Sequence, residues 1–168
     1  MEAGGEKWEK MGFATHPTMF RGSNNLTLDA KGRMVMPTRY RERLQERCGG
    51  KLVVTVDKDQ CLLIYPLPDW EEVERKLMRL PAFNAHARQL QRLMVGNATD
   101  LELDGHGRIL LPPNLREFGF LTRDAVLIGQ GVKFELWDEA RWNERRDAWL
   151  ASDDSAGQLP TDLETLSL

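Results

Sequence analysis

The chain has 168 residues, a formal net charge of −3 and 41% hydrophobic residues. This length suits one ordinary domain or two small ones, and the composition is that of a soluble globular protein. A run of about 18 apolar residues is absent, and the first residues lack the apolar stretch of a signal peptide, so no membrane segment or secretion is expected. Cys48 and Cys61 stand outside any metal or redox motif, which predicts two free thiols and a cytoplasmic location.

The net charge hides an uneven distribution. Residues 20–50 contain seven basic and three acidic residues, whereas residues 138–168 contain eight acidic and three basic ones. A basic segment beside an acidic tail is compatible with nucleic-acid binding, although a solvated helix face is the more common origin of such a run. The basic residues of the first segment are Arg21, Lys31, Arg33, Arg39, Arg41, Arg43 and Arg47.

An internal duplication organises the chain. The segment LTLDAKGRMVMP at residues 26–37 recurs as LELDGHGRILLP at residues 101–112, an offset of 75. Further positions match at an offset of 72, so the second copy is three residues shorter in between. Such a duplication is typical of two copies of one supersecondary unit. The matched pairs are Asp29 with Asp104, Gly32 with Gly107, Arg33 with Arg108, Pro37 with Pro112, and then Leu62 with Phe134, Ile64 with Leu136, Tyr65 with Trp137 and Trp70 with Trp142.

Each copy is predicted to run strand, turn, strand, helix and then a second hairpin. In the turn, Asp29 can bond its own backbone and Gly32 can adopt positive φ, so the flanking strands should form a hairpin. A glycine pair ends the helix. In the first copy the predicted bounds are 26–28 and 33–36 for the first strands, 38–47 for the helix, and 52–56 and 60–65 for the second hairpin.

Helices are predicted between and after the copies. Asp69 is the expected N-cap of the first one, with Glu72 completing a capping box, and Pro81 separates it from the next helix. A last helix is expected from about Asp138 to Leu150. The apolar stripes of the three helices are Trp70, Val73, Leu77 and Leu80 in the first, Phe83, Ala87, Leu90 and Met94 in the second, and Trp142 and Trp149 in the third.

One copy alone has little core, but two copies can close over each other. We therefore predict a mainly β fold with α-helices, of the α+β class: a small β-barrel with pseudo-twofold symmetry and helices packed at its rim.

Motifs of enzymes are absent. The three histidines lack metal-ligand spacing, and no nucleophile elbow, phosphate loop or dinucleotide fingerprint occurs. Asp29 and Asp104 could form an acid/base pair, but capping a turn and accepting from the nearby arginine is the more common role. We therefore expect no catalysis, no metal and no cofactor.

The Gly-Arg pair after each turn favours DNA binding. An arginine fork can bond a guanine edge or a phosphate, and a two-stranded ribbon fits the major groove. A salt bridge of Arg33 to Asp29, or of Arg108 to Asp104, is an equally good explanation of these arginines. It is also compatible with DNA binding, because the carboxylate would orient the arginine fork. Lys31, Arg21 and Arg39 add positive charge to the first copy.

The sequence Met19-Phe-Arg-Gly and the doubled Asp-x-x-Gly-Arg-x-x-x-Pro motif resemble the MraZ family over residues 19–150. A single motif would indicate only the wider AbrB-like superfamily, whose members pair two chains. The resemblance implies two swapped-hairpin units in one chain: residues 19–70 and 97–150 are AbrB-like repeats, residues 71–96 are a helical connector, and residues 1–18 are a flexible N-terminal extension. The polar, acidic composition of residues 151–168 predicts a flexible tail.

The same resemblance implies a nucleoid-associated cytoplasmic regulator that acts as a ring-shaped homo-oligomer. Its partner would be double-stranded promoter DNA, with short direct repeats ahead of its own division and cell-wall gene cluster, and its effect repression. His106 stands where the first copy has Lys31, so the turn of the second copy should carry less positive charge. The expected DNA-binding residues are Lys31, Arg33, Arg108, Arg21, Arg39 and His106, and the expected turn-shaping residues are Asp29, Gly32, Asp104 and Gly107.

Two other functions stay open. The Gly-Arg turns could serve subunit contacts in a purely structural ring or scaffold protein. Alternatively, the chain could be an antitoxin-like DNA binder with a protein partner. The leucines at 159, 163, 166 and 168 keep this last option open. Neither a membrane nor a small-molecule substrate is expected as a partner.

Overall fold

Residues 18–152, the part of the chain that the computed structural model describes, form eight strands and five helices. The predicted flexible extension and tail lie outside this range, except for Thr18 and residues 151–152. The strands are β1 (Phe20–Thr27), β2 (Arg33–Val35), β3 (Lys51–Val56), β4 (Leu62–Pro66), β5 (Thr99–Glu102), β6 (Arg108–Leu110), β7 (Asp124–Gly131) and β8 (Lys133–Asp138). The helices are α1 (Thr38–Cys48), α2 (Leu67–Met78), α3 (Ala85–Met94), α4 (Pro113–Phe118) and α5 (Glu139–Ala151).

The strands pair in two antiparallel sheets. The larger has the order β1-β7-β8-β4-β3-β5, and β2 pairs with β6 in a separate ribbon. Equivalent strands of the two copies occupy mirrored places in this order, so a pseudo-twofold axis passes between β4 and β8. The repeat that was inferred from sequence is thus a repeat of structure as well.

The first strands of each copy pair differently from the local hairpin that the sequence predicts, and on this point the prediction is wrong. The turn at residues 29–32 forms, but β1 pairs with β7 and β2 pairs with β6. Met34 opposes Ile109 across the β2–β6 ribbon, and both side chains are buried. Exchange between the copies is favourable because short strands from one copy could not bury this apolar surface alone.

The fold is mixed α and β with antiparallel sheets. Within residues 18–152, β1 and β5 are the edges of the larger sheet and do not pair with each other. The predicted closed barrel is therefore not confirmed.

Two apolar clusters hold the elements together. The main one contains residues from both copies, including a packed aromatic trio in which the ring centroid of Phe134 lies 4.4 Å from Phe20 and 4.8 Å from Tyr40. The second lies under α2 and α5 and contains Trp70 and Trp137. Both cysteines are free, as predicted, and the structure places both in the core.

The predicted helices are found, with two local errors. Helix α2 begins at Leu67, and the carboxylate of Asp69 makes no cap but pairs with the buried guanidinium of Arg47. A buried charge without a partner costs more free energy than a helix end without a side-chain cap. Phe83 precedes α3 instead of lying on its stripe, and its side chain is 98% exposed. None of the helices found between residues 18 and 152 is long and apolar enough to cross a membrane.

Candidate nucleic-acid interface

Each Asp-x-x-Gly-Arg turn is organised by its own carboxylate. Asp29 Oδ1 accepts from the backbone N–H groups of Lys31 at 3.0 Å and Arg33 at 2.9 Å, while Oδ2 accepts from Arg33 Nε at 2.6 Å. Asp104 repeats this pattern, with 2.8 Å to His106 N and 2.9 Å to both Arg108 N and Arg108 Nε. The salt bridge and the turn cap, both considered from sequence, are therefore formed together.

These bonds stabilise the ionised carboxylates. The main cause is the hydrogen bond from the backbone N–H of each arginine. The backbone N–H of Arg108 lowers the pKa of Asp104 to about 2, and that of Arg33 lowers the pKa of Asp29. Both aspartates are therefore charged at neutral pH, and each keeps its arginine in one orientation. The same carboxylate thus caps each turn and holds the arginine that follows it.

The β2–β6 ribbon presents one face to solvent. Because side chains alternate along a strand, the buried Met34 and Ile109 leave two arginines and two aliphatic residues on the other face. Arg33 lies opposite Leu110, and Arg108 lies opposite Val35, so the arginines occupy diagonal corners. The arginine side chains are 29% and 30% exposed, and Val35 and Leu110 are 46% and 54% exposed.

The two turns lie at opposite ends of this ribbon. Gly32 O accepts from Leu111 N at 3.1 Å, and Gly107 O accepts from Met36 N at 2.8 Å. Gly32 and Met36 are four residues apart, and a strand rises roughly 3.3 Å per residue, so the turns are about 13 Å apart along the ribbon.

An arginine of each copy covers the turn of the other copy. Arg41 donates its Nε to Met36 O at 2.7 Å and lies on Gly107, while Arg116 donates its Nε to Leu111 O at 3.2 Å and lies on Gly32. A Cβ at either glycine would collide with the covering guanidinium, and both glycines have positive φ, 84° at Gly32 and 73° at Gly107. Glycine is therefore required there both for the backbone and for the close approach.

Arg41 and Arg116 were missed as site residues in the sequence. Their signal was present, since each follows the proline of its motif by four residues and the pair keeps the offset of 75. Each turn gains one positive charge in this way, because Arg41 lies beside the turn with His106 and Arg116 lies beside the turn with Lys31.

Arg21 and Arg39 lie together in a different cluster. They line a cavity of about 350 Å³ with Tyr40 and Arg43. Lys31 and His106 are exposed on the turns. Between residues 18 and 152 no group of three or more His, Cys, Asp or Glu side chains could hold a metal ion.

The fold and the paired turns define a duplicated antiparallel β protein, in which two copies share one core and each presents one arginine turn. The model of the family described as "MraZ protein, putative antitoxin-like" matches residues 19–93 and 94–156, one match for each copy. The chain belongs to the MraZ family.

Relatives from three bacteria align with this chain over their whole length. The chain is 57% identical over 150 residues to the transcriptional regulator MraZ of Thioalkalivibrio sulfidiphilus (strain HL-EbGR7). It is 54% identical over 151 residues to that of Pseudomonas aeruginosa (strain UCBPP-PA14) and 53% identical over 152 residues to that of Halorhodospira halophila (strain DSM 244 / SL1). Each alignment covers 89% of this chain and 100% of the relative. The names of these relatives indicate transcription regulation, which is not an enzyme class.

Proposed function

We propose that this protein is a sequence-specific DNA-binding regulator of transcription whose reading surface is the outer face of the β2–β6 ribbon with its two turns. The observation that carries the proposal is the pair of arginines, Arg33 and Arg108, held in equivalent orientations by their own aspartates on one exposed ribbon. Each arginine uses its Nε on the carboxylate, so its terminal nitrogens stay available for a base edge or a phosphate.

The dimensions of the ribbon support this proposal. B-DNA has a major groove about 12 Å wide that admits a two-stranded ribbon, close to the separation of about 13 Å between the turns. Val35 and Leu110 lie between the arginines and are exposed, which suits contacts with thymine methyl groups. Lys31 and His106, at the exposed tips, are placed for phosphate contacts on either side.

The finer parts of the function are proposals as well. The protein acts as a repressor in the cytoplasm, on the nucleoid, and binds short direct repeats in the promoter of its own division and cell-wall gene cluster. It does so as a homo-oligomeric ring. The exposed apolar side chains of Met78, Phe83, Trp149 and Leu150 are the candidates for subunit contacts.

Fluorescence anisotropy with the DNA upstream of the protein's own gene tests the proposal. Arg33→Ala and Arg108→Ala should each weaken binding by about 1–3 kcal/mol while leaving the unfolding midpoint nearly unchanged, because neither side chain belongs to the core. Scrambled DNA of equal length is the control for sequence preference. Unchanged affinity of the folded double variant would reject the surface.

The same variants address the structural ring and the antitoxin-like binder. If the Gly-Arg turns serve subunit contacts, the double variant changes the molecular mass in light scattering and no DNA is bound. An antitoxin-like binder would still bind DNA, and its protein partner would co-purify with the full chain from its native host.

A further inference from the structure

Three arginines surround a cavity that is separate from the β2–β6 ribbon. Arg21 on β1 and Arg39 and Arg43 on α1 line it, with Tyr40 between them, and its volume is about 350 Å³. Among residues 18–152, no carboxylate lines it. The cavity is therefore strongly positive and is open to an anionic ligand.

The charge of this cluster is not compensated within residues 18–152. None of the three arginines makes an ion pair in that part of the chain. Arg39 and Arg43 are four residues apart on α1, where like charges repel, and the first turn of this helix has no acidic residue. The positive end of the helix dipole adds to the repulsion. An anion in the cavity would remove this electrostatic cost.

Two of the three guanidinium groups, those of Arg39 and Arg43, are held in place before any ligand arrives. Arg39 Nη2 donates to Asn24 Oδ1, and its guanidinium stacks over the ring of Tyr40 at 4.6 Å from the centroid. Tyr40 in turn donates its hydroxyl to the backbone carbonyl of Arg21 at 2.5 Å, and Arg43 Nη1 donates to Met19 O at 3.2 Å. A guanidinium has five N–H donors, so most donors of the cluster stay free.

The second copy provides an internal comparison. At the offset of 75, Arg39, Tyr40 and Arg43 correspond to Asn114, Leu115 and Phe118 on α4. Leu115 is buried like Tyr40, so the helix packs in the same way without either arginine. The fold thus does not require these charges, and another role accounts for them better.

We propose that the cavity formed by Arg21, Arg39 and Arg43 binds a phosphate group. A phosphate offers several oxygens to forks that converge from a strand and a helix, and arginine forks match phosphate geometry bidentately. The phosphate belongs either to the backbone of bound DNA, which rests on the proposed function, or to a free small molecule. In both cases Tyr40 and Asn24 position the Arg39 guanidinium and do not bind the ligand.

The first experiment uses the full chain and inorganic phosphate alone. Thermal unfolding is followed as sodium phosphate replaces sodium chloride at constant ionic strength. A saturable rise in Tm is expected in the wild type. The rise should vanish in Arg39→Asn/Arg43→Phe, which installs the residues that the second copy uses, and phosphate binding should weaken about tenfold or more in Arg21→Gln, because bonds between charged groups are lost. Lys58→Gln, in the β3–β4 turn, is the control matched in charge to Arg21→Gln.

The second experiment identifies the source of the phosphate. The slope of log affinity for upstream DNA against log salt is measured for the same variants, and each lost backbone contact should reduce the slope by about 1. A reduced slope assigns the cavity to DNA, whereas an unchanged slope with saturable phosphate binding assigns it to a free ligand. Absence of both effects overturns the proposal. If no DNA is bound at all, only the proposed function fails, because the first experiment is independent of DNA.

Discussion

The guanidinium of Arg41 lies on the backbone of Gly107, in the turn of the opposite copy. Arg116 covers Gly32 in the same way, so each turn is completed by a side chain from the other half of the chain. The two Asp-x-x-Gly-Arg motifs therefore work as one unit. A substitution in one copy should therefore change the stability of the turn in the other copy.

Gly107→Ala tests this relationship. A left-handed φ of 73° and the collision with Arg41 should together destabilise the protein by about 1–3 kcal/mol in urea unfolding. Gly105→Ala is the matched control two residues away, because a Cβ there meets nothing within 4 Å, and it should change stability by less than about 0.5 kcal/mol. Combining Gly107→Ala with Arg41→Ala should recover part of the loss. Equal effects of the two glycine substitutions would contradict the close approach.

The pH dependence of stability should reveal the turn carboxylates. The pKa of Asp104 is lowered to about 2 from its usual value of 3.8, so its stabilising bonds are fully present above about pH 4 and are lost as the pH falls toward 2. Asp104→Asn should therefore be less stable than the wild type at neutral pH, and the gap should narrow between pH 4 and pH 2. A constant gap across this window, measured by urea unfolding, would show that the ionised form is not favoured.

The buried ion pair between Arg47 and Asp69 should matter more for stability than exposed pairs. Removing one member leaves the other charge buried without it, so Asp69→Ala should cost about 3–5 kcal/mol in urea unfolding. Glu72 lies three residues after Asp69 in α2 and makes an exposed pair with Lys76. Glu72→Ala, which breaks that pair, should cost less than about 1 kcal/mol. A small effect of Asp69→Ala would mean that water or a rearranged side chain replaces the carboxylate.

Salt should weaken DNA binding steeply if the turns meet phosphates. Counterion release makes the logarithm of affinity fall linearly with the logarithm of salt concentration. Lys31→Ala should reduce that slope by about 1, whereas Lys58→Ala, which removes the same charge from the β3–β4 turn, should leave it unchanged. A slope near zero in the wild type would argue against phosphate contacts as the source of affinity.

Assembly should raise the affinity for repeated sites. When several subunits belong to one oligomer, binding of the first subunit to DNA raises the effective concentration of the others at the neighbouring repeats. This can raise avidity by roughly 10² to 10⁴. Light scattering at micromolar concentration should show an oligomer well above a dimer, and DNA with several direct repeats should bind more tightly than DNA with one. Phe83→Ser, at a side chain 98% exposed, should weaken assembly without unfolding the subunit. A monomer with equal affinity for one repeat and for several would contradict the ring.

The sequence by itself determined the duplication, the helix that follows each proline, the Asp-capped turns and the β3–β4 hairpin. The bonds that build these features join residues close in the chain, such as Asp29 with Lys31 and Arg33, so composition and spacing are sufficient to predict them. Tertiary structure alone decided that β1 pairs with β7 and β2 with β6, and that Asp69 serves Arg47 instead of a helix end. It also placed Arg41 on Gly107. All these partners are distant in sequence, so local spacing does not predict them. The strand pairs and the Arg41–Gly107 contact join the two copies, because neither copy can bury its apolar strands until the other closes over it, whereas Asp69 and Arg47 meet because a buried charge requires a partner of opposite sign.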